Sequence, residues 1–515
     1  MAGPQVLSDF DETHYISDVL VYAIPVLLLI YLFRLNQVIK STPEEVSRLS
    51  PSTSRWTKKL LQETYERLEK DCITTTSYAC SIPPKLKRRY VVTGGSGLVG
   101  GYIVLQLLER GQPAEAIRIV DFRAPNRPDM VTGPASEVDF VQTDISSVES
   151  TTKAFSKPWS PSVAHLPLTV FHTAAVIVPS ERSRLVYKLC EAVNIHGTQN
   201  VVDAARKAGA DILISTTSGS IAIRPIKFWI APWKLWDVSG STWPRHFWQV
   251  LDEKDFFEPP RPHDGYYANY PASKAAAERI VCGANTPSFR TGCIRPANGV
   301  YGNPTDNTVG GPLNSGDYPT WTPHIIQSFC HGINAALAHL HFEAVLASRS
   351  TKSSLPSQAG RPYVVTDPNQ PITYNDLYTA ILTLATTHFQ IIPLPPILIL
   401  LLSHAIEFYI LLPLKYPIFR RILPPLTGDV RFLQPAIMDI CTHLVASNSN
   451  ISRPVEVGGL GYTGVITTLD GMVQEILEWN REHREAEAEG RKVVYHTSIA
   501  LPDQLRKAGA GNSTS

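Results

Sequence analysis

Arg89-Tyr90-Val91-Val92-Thr93 is an apolar strand that runs into Gly94-Gly95-Ser96-Gly97-Leu98-Val99-Gly100-Gly101 and then into an amphipathic helix. Few folds accommodate that succession. A strand, a glycine turn and a helix start present backbone N–H groups and the positive end of a helix to a diphosphate. The glycines fall at 94, 97 and 100, a G-x-x-G-x-x-G spacing. Gly94 serves the tight turn, Gly97 the close approach of a pyrophosphate and Gly100 the packing of helix on strand. Ser96, Leu98 and Val99 supply the intervening backbone groups. The expectation is an α/β chain with a doubly wound parallel sheet.

The next strands extend the pattern. Ala116 to Asp121 ends in an acid that can hydrogen-bond the ribose hydroxyls of a dinucleotide and repel a 2′-phosphate, which favours NAD over NADP. Arg123 and Arg127 stand close by and weaken that preference, so NADP stays open. Val138 to Ile145 is a third strand whose Asp144 and Ile145 face either the adenine or, for Asp144, a helix N-cap. Leu168 to Ala175 ends in the small residues Ala174 and Ala175, where backbone can pass close to a cofactor, and its His172 reads as a packed strand residue. Asn194 opens a further helix, and Asp211 to Ser218 is a fifth strand tipped with hydroxyls.

Tyr270-Pro271-Ala272-Ser273-Lys274 then begins a helix, because proline is tolerated only in the first turn. The i, i+4 spacing puts Tyr270 and Lys274 on one face. A phenol is a poor base at neutral pH, and an ammonium one turn away is expected to lower its pKa. With a serine hydroxyl to hold the substrate oxygen, Tyr270 would take the proton of a secondary alcohol while hydride leaves for a nicotinamide.

These motifs, with Thr216-Thr217-Ser218 and Arg295-Pro296-Ala297-Asn298-Gly299-Val300-Tyr301-Gly302, resemble the extended short-chain dehydrogenases. More narrowly, the chain is similar to the 3β-hydroxysteroid dehydrogenase/isomerase family, including sterol-4α-carboxylate 3-dehydrogenases. The likeness runs from about residue 88 to 480 and includes Phe329-Cys330-His331-Gly332, Gly360-Arg361-Pro362-Tyr363 and Leu460-Gly461-Tyr462. The resemblance implies an NAD-binding Rossmann-type sheet with a smaller C-terminal substrate-binding part. It also implies Tyr270 as proton acceptor, Lys274 on the ribose, Ser218 as hydroxyl partner, Asn194 in a proton relay and Pro296 near the nicotinamide. A slip of the serine role onto Thr217 stays open.

The rest of the chain bears on location and domain organisation. Val19 to Phe33 is uncharged and interrupted by Pro25, slightly shorter than the roughly 20 residues of a spanning helix. Asp9, Asp11, Glu12 and Asp18 precede it, while Arg34, Lys40, Arg48, Arg55, Lys58 and Lys59 come after it. That asymmetry places the chain beyond the apolar stretch on the cytosolic side. The expected divisions are 1–40 (luminal segment and transmembrane anchor), 41–84 (helical spacer), 85–480 (dehydrogenase domain) and 481–515 (charged, disordered tail). Within the domain, 222–262 is an aromatic insertion carrying Phe228, Trp229, Trp233, Trp236, Trp243, Phe247, Trp248, Phe256 and Phe257. It reads equally as a roof over an apolar substrate, a membrane-interface surface or a small satellite core. The apolar stretch 391–412, crowded by Pro393, Pro395 and Pro396 and holding His404 and Glu407, reads as a monotopic or re-entrant membrane contact, with a simple span as the other option.

Across 515 residues, 47 Lys and Arg balance 46 Asp and Glu, for a net charge of +1, so composition argues against a nucleic-acid partner. Seven cysteines without CxxC pairs argue against a disulfide framework or a zinc site, and no metal is expected. The resulting expectation is a membrane protein of the endoplasmic reticulum that oxidises the 3β-hydroxyl of a sterol, steroid or triterpenoid with NAD. Loss of a 4-carboxylate and a homodimer are left open. The alternatives are a sugar-nucleotide epimerase or dehydratase on the same fold, or a catalytically idle NAD-binding membrane protein.

Overall fold

The computed structural model of the chain describes residues 11–50 (backbone only over 11–20), 55–235, 242–348, 355–493, 495 and 502. The expectations placed on Asp9, on Trp236 and on the Gly/Ser-rich end of the chain lie outside these residues.

Alternating strands and helices build the centre. The chain enters through α1 (Asp11–Lys40), then β1 (Arg89–Thr93), α2 (Leu98–Glu109), β2 (Ile117–Asp121), β3 (Asp139–Gln142) and β4 (Leu168–His172). Next come α3 (Gly197–Lys207), β5 (Ala210–Thr216), α4 (Asn269–Gly283), β6 (Arg290–Pro296), α5 (Gly332–Ala347), β7 (Pro362–Val365), α6 (Pro396–Lys415) and α7 (Thr468–Ala488). The seven strands form one parallel sheet in the order β7-β6-β5-β4-β1-β2-β3. The order reverses at β1, whose neighbours are β4 and β2, so the loops leaving β1 and β4 diverge and open a crevice at the carboxyl edge.

Both faces of the sheet are covered, which is why its strands are nearly continuously apolar. Tyr90 and Val92 pack with Ile103, Leu107, Leu337 and Leu340 of α2 and α5 on one side. Val91 and Val170 pack with Val201 and Val202 of α3 and Val281 of α4 on the other. The alternation along β1 therefore serves two cores, and the doubly wound fold results from it.

The expected boundaries shift in three places. The segment 41–84 is no free spacer: its helix Lys58–Lys70 buries Leu61 and Leu68 against Met472, Ile476 and Leu477 of α7, and Asp376 accepts from the Trp56 backbone N–H at 3.2 Å. Apolar residues spaced along one face of that helix needed a partner, and α7 is it. The closing helix passes 480 to Ala488, and Tyr495 lies 5.2 Å from Trp479 between ring centroids, so the first part of the expected tail is structured. Its charges sit on a helix that buries Trp479 and Ala486 on its other side. The expected end of the first segment at residue 40 coincides with the end of α1, which stays helical through Pro25. The stretch 391–412 is split, its first residues forming the strand Gln390–Pro393 beside Asp317–Thr320 before Pro396 starts α6.

A second, four-stranded sheet joins Ile372–Thr373, Ile326–Gln327, His443–Ala446 and Trp248–Leu251. The chain on both sides of α6 thus belongs to one folded body, because His443–Ala446 pairs with Trp248–Leu251. A simple span by α6 would separate them. The aromatic insertion forms a satellite core with both apolar helices: Phe228, Ile230 and Phe247 pack with Leu35 and Ile39 of α1 and Ile397 and Leu400 of α6. Trp229 and Trp233 remain exposed on its outer side.

Candidate active site

Every candidate residue from the sheet lies at its carboxyl edge, since parallel strands end together. Gly94 turns the chain with φ of +76°, and a Cβ there would stand 2.5 Å from the Ala174 backbone nitrogen. Only glycine lets the loops after β1 and β4 meet at the crevice. At Gly100 a Cβ would stand 2.3 Å from the Gly94 carbonyl oxygen, so helix α2 sits directly against the turn. Gly97, the N-cap of α2, is exposed, and beyond its chain neighbours a Cβ there would meet only the Gly94 carbonyl, at 3.2 Å. Gly94, Ser96, Leu98 and Val99 are partly accessible beside it. This is an open cradle of backbone N–H groups at a helix start, the shape a diphosphate fits.

Asp121 ends β2 and accepts from the Ser96 N–H at 3.0 Å and the Arg123 N–H at 3.3 Å. Burial raises its carboxyl pKa, against those two N–H groups. Arg127 is committed elsewhere: its guanidinium stacks over Tyr102 at 4.4 Å, pairs with Asp129 and donates to the Leu98 carbonyl. That commitment removes one of the two arginines that weakened the preference for NAD. Asp144 lies just beyond β3, which aligns beside β2 through Thr143 N–H to the Asp121 carbonyl at 2.8 Å. Asp144 is not a helix N-cap; Ser147 is, and Asp144 instead turns the chain by accepting from Ser146 N–H at 2.9 Å. Ile145 is buried against Gly197.

The catalytic candidates converge from α4, β5 and the segment before α3. Asn194 sits in a π-turn, Glu191–His196, and is bonded on both sides: it accepts from Val176 N–H at 2.8 Å and donates to the Val176 carbonyl at 3.0 Å and to Ser273 Oγ at 2.9 Å. Ser273 Oγ in turn donates to the Tyr270 carbonyl at 2.7 Å. A π-turn of this kind re-aims one side chain and is common at functional sites. The Ser218 hydroxyl lies 2.8 Å from Ser220 Oγ and, close to the Tyr270 phenol, favours its ionised form. Thr217 points the other way, donating to Glu278 at 2.9 Å, so the slip onto Thr217 is not taken. Pro296 ends β6, its carbonyl 2.9 Å from where a Cβ of Gly219 would stand.

The electrostatics differ from the expectation for the tyrosine. Burial pushes the Tyr270 phenol up to about 12, opposed by the Ser218 hydrogen bond. Burial also brings Lys274 down to about 8, and its Nζ donates to the Thr216 carbonyl at 2.7 Å. Burial sets the direction at Tyr270, and Lys274 is not among the groups that act on its phenol; the Lys274 charge is directed at the Thr216 carbonyl instead. His172 is a packed strand residue as expected, with Thr93 Oγ1 at 2.6 Å and Thr198 Oγ1 at 3.0 Å from its two ring nitrogens.

Three supports escaped the sequence reading. Thr173 Oγ1 donates to the Thr93 carbonyl at 2.8 Å and Gly94 at 3.1 Å, closing the crevice from the β4 side. Arg295, fully buried, holds both oxygens of Glu278 at 2.6 and 2.8 Å and Asp255 at 2.7 Å, tying α4 to β6. Asn269 begins α4 and donates to the carbonyls of Glu181 (2.7 Å, through its backbone N–H) and Ser183 (2.9 Å). Each bond joins segments far apart in the chain; only Asn269, adjacent to the tyrosine motif, carried a local hint.

Parts of the chain are similar to known proteins. Residues 91–226 match the model of the 3-beta hydroxysteroid dehydrogenase/isomerase family. The 3 beta-hydroxysteroid dehydrogenase type 7 of Mus musculus is 28% identical over 218 residues, 41% of this chain and 50% of that protein. The decarboxylating sterol-4-alpha-carboxylate 3-dehydrogenase of Candida albicans is 24% identical over 412 residues, 75% of this chain and 98% of that protein. The chain spans about half the length of the type 7 relatives. A UDP-glucose 4-epimerase of Thermotoga maritima superposes with a TM-score of 0.47 at 15% identity over 77% of this chain and 99% of its own. The stretch from β1 through Ser218, with the glycine cradle, Asp121 and Asn194, is thus similar to the 3-beta hydroxysteroid dehydrogenase/isomerase family, the resemblance its motifs carry.

Proposed function

We propose that this chain is a membrane-anchored, NAD-dependent oxidoreductase that converts the 3β-hydroxyl of a sterol, steroid or triterpenoid to a 3-ketone. The observation that carries this reading is that Lys274 Nζ donates to the Thr216 carbonyl at the end of β5 at 2.7 Å, which sets the Tyr270–Lys274 turn of α4 beside Ser218, on the same edge as the glycine cradle. The residues fit a dinucleotide: Gly94, Ser96, Gly97, Leu98, Val99 and Gly100 would hold the diphosphate, Asp121 the adenosine ribose, and Asp144 and Ile145 the adenine side. Ala174, Ala175, Lys274 and Pro296 would flank the nicotinamide half. Bound NAD supplies the hydride acceptor.

This chain's own groups handle the proton. Ser218 Oγ holds the substrate oxygen and orients the carbinol carbon. Tyr270 takes the hydroxyl proton as the carbon gives up its hydride, leaving the ketone. With its phenol at about 12, Tyr270 keeps its proton at neutral pH; Lys274, charged below about 8 and one turn along α4, is the cation that would favour the phenolate in the reacting complex. Asn194 fixes Ser273 and hence the first turn of α4. Where the substrate carries a 4-carboxylate, the new ketone makes it a β-keto acid, which loses CO2 with the carbonyl as electron sink and needs no further side chain.

The apolar surfaces of α1 and α6 support a lipid-dissolved substrate, and Arg34, Lys40 and Arg48 support a cytosolic catalytic body at the endoplasmic reticulum membrane. Both helices are long and apolar enough to cross a membrane by composition. The test is absorbance at 340 nm with NAD against 3β-hydroxysteroids, 4-carboxysterols and sugar nucleotides. Turnover of 3β-hydroxysteroids or 4-carboxysterols that Tyr270→Phe removes, with NAD binding kept, supports the reading. Turnover of sugar nucleotides alone refutes it.

A further inference from the structure

Helix α6 presents Leu398, Leu401, Leu402 and Phe408 to the outside, and the turns after it add Tyr416, Ile418 and Ile422. An exposed apolar surface of that extent belongs against lipid or a partner. Behind it lies a cavity of about 370 Å³, in the range that ligand pockets occupy. Its outer walls include Tyr409, Ile410 and Pro413 of α6 and Leu423 and Leu426 of the returning chain, with Arg420 and Arg431 among them. Its inner wall is Ser180 and Glu181.

That inner wall leads to the chemistry. The Glu181 carbonyl accepts from the Asn269 N–H, and Asn269 precedes Tyr270. Arg182, the next residue, is gripped by both oxygens of Glu407 on α6 at 2.7 and 2.6 Å. One short segment, 180–183, therefore lines the cavity, holds the start of α4 and is clamped to the apolar helix. Neither this cavity nor the larger one, about 420 Å³, is lined by Ser218 or Tyr270; the larger runs along another side of α4 among the charged Asp255, Glu258, Arg279 and Arg295 and has no wall on the apolar helix α6.

We propose that the cavity between α6 and Ser180–Glu181 is the port by which an apolar, ring-bearing alcohol passes from lipid to Tyr270. This inference rests on the oxidoreductase reading.

The full chain in phosphatidylcholine vesicles, with NAD and a 3β-hydroxysteroid bearing a side-chain diazirine, tests both levels. Irradiation is expected to label peptides containing Ile410, Leu423 or Leu426, and excess unlabelled steroid to suppress the label. A probe that is oxidised but labels only other segments overturns the port and leaves the reading intact. A probe that is neither oxidised nor bound overturns both. As a second measure, Leu426→Trp is expected to raise KM for the vesicle-borne steroid about tenfold, with a smaller change in kcat. An unchanged KM overturns the port.

Discussion

Tyr270 is enclosed enough for its phenol to be pushed up to about 12, yet part of its surface stays open. Replacing it with Phe removes one oxygen and no packing, so turnover should fall by about 10²–10⁴-fold while NAD affinity, read by fluorescence quenching, stays close to wild type. At Gly100 a methyl group would collide with the Gly94 carbonyl. Gly100→Ala should cost about 1–3 kcal/mol in a denaturant melt and remove dinucleotide binding. For Asp121, kinetics with the two dinucleotides should favour NAD, and Asp121→Asn should shrink that preference about tenfold, near 1.4 kcal/mol. His172, lowered to about 3 by burial, is neutral in the folded chain. The unfolded chain takes up its proton from about pH 6.5 downward, so the stability it contributes is present above 6.5 and lost as the pH falls toward 3. A thermal melt series should show a shallower acid decline for His172→Gln than for the wild-type protein. At this scale the cradle, Asp121, Tyr270 and Lys274 were legible because each sits in a local motif. The direction of the Tyr270 shift was not, because desolvation depends on what the rest of the chain places around it.

Among the elements, α4 carries the most chemistry and is held most firmly. Thr217, Glu278, Arg295 and Asp255 form a buried ionic cluster beneath it. Arg295→Ala leaves the Glu278 carboxylate without its partner and should cost about 3–5 kcal/mol in a chemical melt. Arg295 read in sequence only as part of a motif shared with relatives; its partners lie 17 and 40 positions away. The first five strands were legible, their starts to within a residue and their ends to within three, because two-sided burial makes them continuous apolar runs; β6 and β7 were not read as strands. The π-turn at Glu191–His196 was not, since nothing in its composition separates it from an ordinary helix start. Likewise 41–84 read as a spacer because its apolar face meets a partner some four hundred residues on, as in the bond between Ile73 N–H and Gln474.

For the whole molecule, α1 and α6 are two apolar surfaces on one body. The last turns of α1 bury Leu35 and Ile39 under the aromatic insertion and α6, while Val21 to Phe33 are largely exposed. Deleting residues 1–30 should therefore weaken flotation with vesicles and leave NAD binding intact. Deleting 1–40 should also lower the melting temperature, by removing Leu35 and Ile39 at about 1.5–3 kcal/mol per buried side chain.

The sequence by itself determined the parallel sheet, the dinucleotide cradle and the tyrosine–lysine pair, because each is written in periodicity or spacing over fewer than a dozen residues. It also marked two apolar stretches. Only the tertiary structure decided that Ser218 and not Thr217 faces Tyr270, that Arg127 is spent on Asp129 and Tyr102, and that both ends of α6 return to one body. Those outcomes depend on side chains brought together across the crevice, and no local pattern encodes which of two neighbouring hydroxyls a distant helix will meet.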